Sequence, residues 1–305
     1  MLLKMFARSL HIHSPCWGAE KSLLATLRKK TGYTFTNCKK ALELHQNDLI
    51  QAEKWLNQQA QALGWSKATK LEGRQTTQGL VAVTVNNSDA AIVEVNCETD
   101  FVARNKTFQE MVEIAAQTCL HFAEQQPHAT KPLTKISLDS TQLCRLQTTN
   151  GKTLSDQLAL TIGSLGENAI LRRAMCFKAD KGIHLSVYAH PSGTQQNSVL
   201  LGRLGGLVAM RQKIDKEVDM ENLGKNLCQH VVGMDPKKIG TSDDEPSPNS
   251  DDETCLIYQE YIVDDSITVN EVLDENGIEI VDFKRFECGE NTSDGVPLSN
   301  VETCQ

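Results

Sequence analysis

The sequence predicts an α+β fold: an N-terminal three-helix domain followed by a core of two related α+β subdomains with antiparallel sheets. Three observations carry this prediction. Apolar residues recur at helical spacing between residues 20 and 62. Two strand-like runs joined by turn-forming residues begin at Gly79, and a similar order of helices and strands recurs after residue 151. A chain of 305 residues is also long enough for more than one domain.

The first 19 residues have the pattern of a mitochondrial presequence. The first acidic residue is Glu20, and Lys4 and Arg8 lie one helical turn apart among apolar residues. A secretory signal would carry an uninterrupted apolar core, which Arg8 breaks. The alternative is a frayed terminus with accidental charge. We expect residues 1–19 to be a presequence and the mature protein to reside in the mitochondrial matrix.

Residues 20–64 are predicted to form the three-helix domain. Its apolar positions fall into three helical groups: Leu23, Leu24 and Leu27; Cys38, Ala41 and Leu42; Leu49, Ala52, Trp55 and Leu56. Asp48, followed by Gln51, has the pattern of an N-cap at the third helix. The unit resembles ubiquitin-associated-like domains. The polar stretch 65–78 is predicted to be a connector.

Residues 79–150 are predicted to form the first core subdomain, with a variable segment. The runs 79–85 and 90–97 should pair as a hairpin, because Asn86 to Asp89 are turn-forming residues. A helix should follow, with Thr107 and Glu110 as its capping box. Asp100 and Phe101 then fall in the short turn between strand and helix.

Residues 151–240 are predicted to form the second core subdomain. A helix at 154–162, strands at 169–177, 183–190 and 199–210, and a helix at 223–231 follow one another.

The acidic, Ser- and Pro-containing segment 241–254 predicts a disordered linker. Residues 255–290 should add a helix capped by Thr268 and Glu271 and a strand that docks on the core. The phase of apolar residues in this strand changes between Phe283 and Phe286, which indicates a bulge or burial on both faces. Residues 291–305 are a tail.

Composition favours a protein partner over nucleic acid or a membrane. The net charge is -8 and the pI about 5.5, whereas phosphate binding needs clustered Lys and Arg. No run approaches the roughly 20 apolar residues that cross a bilayer. The 10 Cys are scattered without C-x-x-C or zinc-ligand spacing, so no metal or other cofactor is expected.

We find no enzyme motif in the sequence. Asn150 to Thr153 resemble the end of a P-loop, but Leu146 replaces its first glycine. A thiol enzyme using Cys97 or Cys176 would need a His partner that the sequence does not indicate. His190, beside a Pro- and Gly-containing loop, is a candidate for recognition, with a structural role as the default.

Four segments resemble the elongation factor Ts family, in family order. They are LRKKTGYTFTNCKKALE, EVNCETDFVARN, HVVGM and VDFKRFECGE. The basic leader, and the absence of a long helical insertion before the last segment, resemble the mitochondrial branch. The resemblance implies a non-enzymatic guanine-nucleotide exchange factor for mitochondrial elongation factor Tu, in a one-to-one heterodimer. It implies no nucleotide site of its own and no direct contact with nucleic acid or membrane.

The resemblance also assigns a partner-binding tip, Thr99, Asp100, Phe101 and Val102, that displaces Mg²⁺ from the GTPase. Residue chemistry alone leaves open that Phe101 is buried in the core beneath the hairpin, as a core plug. His190 looks like the histidine of the family's Y-x-H-G, although Pro191 replaces the glycine. The alternative function is a ubiquitin-binding adaptor that acts through the three-helix domain.

Overall fold

The computed structural model describes residues 17–31, 33, 35–71, 73–127, 131–191, 194–196 and 198–290. The predicted tail 291–305 and all but the last three residues of the predicted presequence 1–19 lie outside the described residues. Residues 17–19 begin the first helix. Within the described residues, no helix combines the length and the apolar composition needed to cross a membrane.

The chain has runs of helices and runs of strands, and its strands pair antiparallel, as expected for an α+β protein. In the described residues the helices are α1 (Trp17–Thr31), α2 (Phe35–Leu44), α3 (Leu49–Leu71), α4 (Asp100–Ala103), α5 (Lys106–Gln125), α6 (Ser140–Arg145), α7 (Leu154–Leu165), α8 (Met220–Met234) and α9 (Val269–Asn276). The strands are β1 (Gln78–Asn86), β2 (Asp89–Cys97), β3 (Leu133–Asp139), β4 (Ala169–Ala179), β5 (Ile183–His190), β6 (Thr194–Gln196), β7 (Val199–Gly202), β8 (Leu204–Gln212), β9 (Glu260–Tyr261), β10 (Asp264–Thr268) and β11 (Ile278–Glu287).

The chain divides into two compact units, Met1–Ala62 and Leu63–Gln305. The smaller unit contains α1, α2 and the first part of α3, and its helices are those that the sequence predicts. Asp48 caps α3, because its Oδ1 accepts hydrogen bonds from the backbone N–H groups of Ile50 and Gln51. The predicted apolar positions form its buried core: Leu27, Cys38, Ala41, Leu42, Ala52 and Leu56.

The predicted connector 65–78 is wrong in its first half, because α3 continues to Leu71. Ala68 and Leu71, three residues apart on one helical face, are buried in the core of the larger unit. A Cβ at Gly64 would lie 2.0 Å from the carbonyl oxygen of Ala159 in α7, so only glycine permits this close packing. The composition of the predicted connector is mostly polar, but its few apolar residues lie at helical spacing, which is why the helix continues.

Within the described residues, the larger unit contains three antiparallel sheets: β9 and β10 form a short one, and the two larger sheets pack face to face between helices in a four-layered arrangement. The first sheet has the strand order β3-β4-β2-β1-β7-β6, and the second has β11-β8-β5. Helices α5 and α7 pack on the first sheet, and α8 packs on the second. Residues from both sheets, including Phe177 and Leu207, share one buried cluster between them. The predicted boundary at residue 150 divides the first sheet, because β4, β6 and β7 pair in the same sheet as β1 to β3.

The C-terminal helix and strand dock on the core as the sequence predicts. Thr268 and Glu271 form the capping box of α9, and Gly277 ends the helix in the left-handed conformation at φ 63°. Strand β11 pairs with β8 along its length. A bulge in the register falls between Ile280 and Asp282, slightly earlier than the predicted change of phase.

The prediction of a disordered linker at 241–254 is wrong. Glu253 is buried, and its carboxylate accepts hydrogen bonds from the backbone N–H groups of Ser247 (2.7 Å) and Cys255 (2.6 Å). These bonds lower the pKa of Glu253. Asp244 likewise accepts from the N–H of Thr241. Acidic composition predicts solvation, but carboxylates bonded to backbone N–H groups can also fix a compact loop.

Candidate functional site: an exposed tip after strand β2

The tip, Thr99 to Val102, lies between β2 and α5, as the sequence predicts. It contains a single helical turn, α4, rather than an open turn. Thr99 is the N-cap: its Oγ1 accepts a hydrogen bond from the N–H of Val102 at 3.3 Å, and its carbonyl accepts from Ala103 at 3.2 Å. Asn105 caps the next helix instead of the predicted Thr107, because α5 begins two residues earlier than expected.

The side chains of α4 point in opposite directions. Val102 and Ala103 are buried in the main core cluster, whereas Phe101 is 79% exposed. Phe101 is therefore not a core plug; Phe108, fully buried on α5, fills the core beneath the hairpin. The structure thus places a large apolar side chain in solvent on a helical turn whose other face is anchored.

Asp100 lies beside Phe101 and is half exposed. Its Oδ2 is 3.0 Å from a guanidinium nitrogen of Arg104, one helical turn later. Exposed pairs of this kind contribute little to stability, about 0–1 kcal/mol. Both charges therefore remain able to exchange partners at low cost.

Residues that the sequence analysis did not identify hold the base of the tip. Thr99 Oγ1 donates a hydrogen bond to Glu167 Oε2 at 2.9 Å, and Glu98 Oε1 accepts one from the N–H of Asn168 at 2.7 Å. Cys97 Sγ donates to the carbonyl of Thr99. Glu167 and Asn168 lie about 70 positions along the chain from the tip, so no local pattern could reveal them.

His190 belongs to a different sheet from the one that carries the tip. It ends β5 in the three-stranded sheet, whereas the tip follows β2 in the six-stranded sheet. Its side chain is exposed, with Nδ1 3.3 Å from the hydroxyl of Tyr188. A groove beside it is lined by apolar and polar side chains, among them Leu204, the buried Val232, and the exposed Ile262 and Val263.

The two thiols considered for catalysis are buried. Burial raises the pKa of Cys97 to about 12, with smaller contributions from Cys288 and Glu167. Cys176 is fully buried, and its thiol donates to the carbonyl of Cys119. Across the described part of the chain, no group of three or more His, Cys, Asp or Glu side chains is arranged to hold a metal ion.

Comparison with known proteins identifies the family. The family model described as "Elongation factor Ts, mitochondrial, N-terminal" matches residues 7–66, and the one described as "Elongation factor TS" matches residues 98–246 and 249–290. Proteins named "Elongation factor Ts, mitochondrial" are 55% identical in Aedes aegypti, 50% in Drosophila melanogaster and 44% in Homo sapiens. These alignments cover 89%, 96% and 89% of this chain and 89%, 95% and 84% of the relatives.

Fold and site together define an α+β protein that presents an exposed aromatic tip on a helical turn. The chain belongs to the elongation factor Ts family, in its mitochondrial branch. It is therefore a translation elongation factor, and the predicted resemblance is confirmed.

Proposed function

We propose that this protein is a guanine-nucleotide exchange factor for elongation factor Tu in the mitochondrial matrix, and that it has no enzymatic activity of its own. The observation that carries the proposal is the exposure of Phe101 on an anchored helical turn. Leaving a Phe in water forgoes about 1.5–3 kcal/mol of burial free energy. A rigidly presented aromatic residue recovers that free energy when a partner buries it, and it does so with little loss of conformational entropy.

In the proposed mechanism, Phe101 acts as an apolar wedge between elements of the GTPase close to its bound Mg²⁺. Asp100 competes for hydrogen bonds there and adds negative charge, while Thr99 and Val102 hold the turn. Mg²⁺ bridges the oxygens of nucleotide phosphates and neutralises their charge. Displacing it therefore weakens GDP binding without a covalent step.

Thermodynamic reciprocity limits what such a factor does. If binding of this protein lowers the affinity of the GTPase for GDP a given number of fold, then GDP lowers the affinity of the GTPase for this protein by the same amount. Each tenfold of this coupling corresponds to about 1.4 kcal/mol. The protein therefore accelerates exchange in both directions, and the supply of GTP determines which nucleotide the GTPase holds.

We further propose a one-to-one heterodimer, to which the three-helix unit and the core both contribute contacts. The exposed position of His190 beside a groove with both apolar and polar lining supports a docking role for this residue. The acidic net charge is consistent with a protein partner rather than direct contact with nucleic acid.

The test is the release of fluorescently labelled GDP from mitochondrial elongation factor Tu. Wild-type protein should accelerate release, and Phe101→Ala should lower the maximal rate about 10- to 100-fold, the equivalent of the burial free energy above. Ile214→Ala is the matched control, because Ile214 is also an exposed apolar residue of the larger unit. No acceleration by the wild type would exclude exchange activity. Equal rates for Phe101→Ala and wild type would remove the tip from the mechanism.

A further inference from the structure

We infer that Glu167 is a positioning residue that holds the tip in the form required for nucleotide exchange. This inference rests on the proposed function. It concerns a residue that lies 68 positions from Thr99 and outside the tip itself. Its only role in the exchange step is to fix the geometry of Thr99.

The hydroxyl of Thr99 has one proton to donate, and the side-chain rotamer that donates it to Glu167 also places Oγ1 where it caps the tip helix. The proton points to Glu167 Oε2 at 2.9 Å, so a lone pair of the same oxygen faces the N–H of Val102 at 3.3 Å. A carboxylate is a strong acceptor for this proton. Without it, the Thr99 side chain is free to adopt another χ1 rotamer, which would carry Oγ1 away from the N–H of Val102 and leave that group unsatisfied.

Glu167 is itself fixed in place by the turn between α7 and β4. Gly166 ends α7 in the left-handed conformation at φ 80°, which directs the next two residues toward the base of the tip. Asn168 is buried, donates its backbone N–H to Glu98, and donates its side-chain amide to the carbonyl of Arg74. Two adjacent residues of this turn thus bond two adjacent residues at the base of the tip.

This two-point attachment matters because α4 has only four residues. A single helical turn is too short to be stable by its own backbone hydrogen bonds. Val102 and Ala103 anchor its inner face, but the start of the turn depends on the cap. Loosening that cap would allow Phe101 to sample many directions, and each productive encounter would then require the tip to be ordered again.

The experiment compares Glu167→Ala, Glu167→Gln, Thr99→Val and the double variant Thr99→Val/Glu167→Ala in full-length protein. The first readout is amide hydrogen exchange of Val102, Ala103 and Arg104, which needs no partner. The second is the GDP-release assay, resolved into maximal rate and half-saturating concentration. Glu110→Ala is the control, since it removes one exposed carboxylate from the neighbouring helix α5.

Glu167→Ala should reduce the hydrogen-exchange protection of the Val102, Ala103 and Arg104 amides. It should also lower the maximal rate of GDP release about fivefold, the equivalent of losing one helix cap. Glu167→Gln should stay within about twofold of the wild type, because its amide oxygen still accepts the Thr99 proton. The double variant should be no slower than Thr99→Val, since both changes remove the same cap.

Unchanged protection in Glu167→Ala, or additive losses in the double variant, would overturn the inference. A reduction of the maximal rate in Glu167→Ala equal to that in Glu110→Ala would indicate a general charge effect and would overturn the inference as well. If the wild-type protein does not accelerate GDP release from elongation factor Tu, the proposed exchange function is wrong. The hydrogen-exchange comparison still decides whether Glu167 orders the tip.

Discussion

Arg173 donates from Nε to the fully buried carboxylate of Glu94 at 2.7 Å, across the pairing of β4 with β2. A bulge in β4 at this point shifts the register, so that Arg172 also reaches Glu94 at 3.5 Å. The N–H of Gly289, just after β11, donates to the same carboxylate at 2.8 Å. One buried acid therefore ties the six-stranded sheet to the end of the C-terminal strand.

Removing this acid should be strongly destabilising. Glu94→Ala removes the buried carboxylate that Arg172 and Arg173 share and leaves both with their contacts to Glu290, and we expect a loss of about 3–5 kcal/mol in the free energy of unfolding. Urea denaturation followed by circular dichroism measures it. The matched control is Glu110→Ala, whose exposed pair with Lys106 at 3.9 Å should contribute less than about 0.5 kcal/mol. Equal losses in the two variants would mean that the buried network does not stabilise the fold.

Phe101 in the tip and Phe108 on the following helix α5 should respond in opposite ways to truncation. Phe101 is exposed and Phe108 is fully buried. Phe101→Ala should change the free energy of unfolding by less than about 0.5 kcal/mol, whereas Phe108→Ala should cost about 3–5 kcal/mol by leaving a cavity. Thermal unfolding of the two variants provides the comparison. A large loss in Phe101→Ala would indicate that Phe101 packs in the core after all.

Features encoded locally could be predicted from the sequence. The hairpin of β1 and β2 follows from turn residues between alternating apolar runs, and the limits of α9 follow from Thr268, Glu271 and Gly277. The position of the tip between a strand and a helix was predictable for the same reason. Burial of the inner face of α4 and exposure of Phe101 were not, because both depend on what the rest of the chain packs against the turn.

Features that depend on distant parts of the chain could not be predicted. Strands β4 and β5 are neighbours in sequence, yet they pair in different sheets. Strand β3 and helix α6 were missed because β3 is half exposed at the edge of its sheet and α6 is short. The bond between Thr99 and Glu167 requires the end of α7 to meet the end of β2, which only the tertiary fold determines.

The thiol of Cys97 should be inert in the folded protein. Burial raises its pKa to about 12, so at pH 7.5 the reactive thiolate is a fraction on the order of 10⁻⁵ to 10⁻⁴. Iodoacetamide should leave Cys97 and Cys176 unmodified in native protein and alkylate both in denaturant, as measured by peptide mass spectrometry. Rapid native alkylation of either residue would restore the hypothesis of a thiol enzyme.

Buried His230 should make the larger unit less stable at mildly acidic pH. Its Nε2 lies 3.0 Å from Gln259 Oε1, and its Nδ1 accepts the N–H of Ile262 at 3.2 Å, so the neutral ring is fully hydrogen-bonded. Burial lowers the pKa of His230 below its ordinary value of 6.5, and the bond to Gln259 offsets this only in part. A proton on Nδ1 would break the bond from Ile262.

The direction of the pH dependence follows from that lowered pKa. Below about pH 6.5 the unfolded chain binds a proton at His230 that the folded protein does not, so the free energy of unfolding falls as the pH falls, until the folded protein is protonated as well. The slope that this residue contributes cannot exceed about 1.4 kcal/mol per pH unit. Urea denaturation between pH 7.5 and 5 should show it in the wild type and in His121→Gln, which replaces a surface histidine of α5. His230→Gln should be less stable at pH 7.5 but should lose less stability on acidification. A slope in His230→Gln equal to that of the wild type would assign the acid sensitivity to other groups.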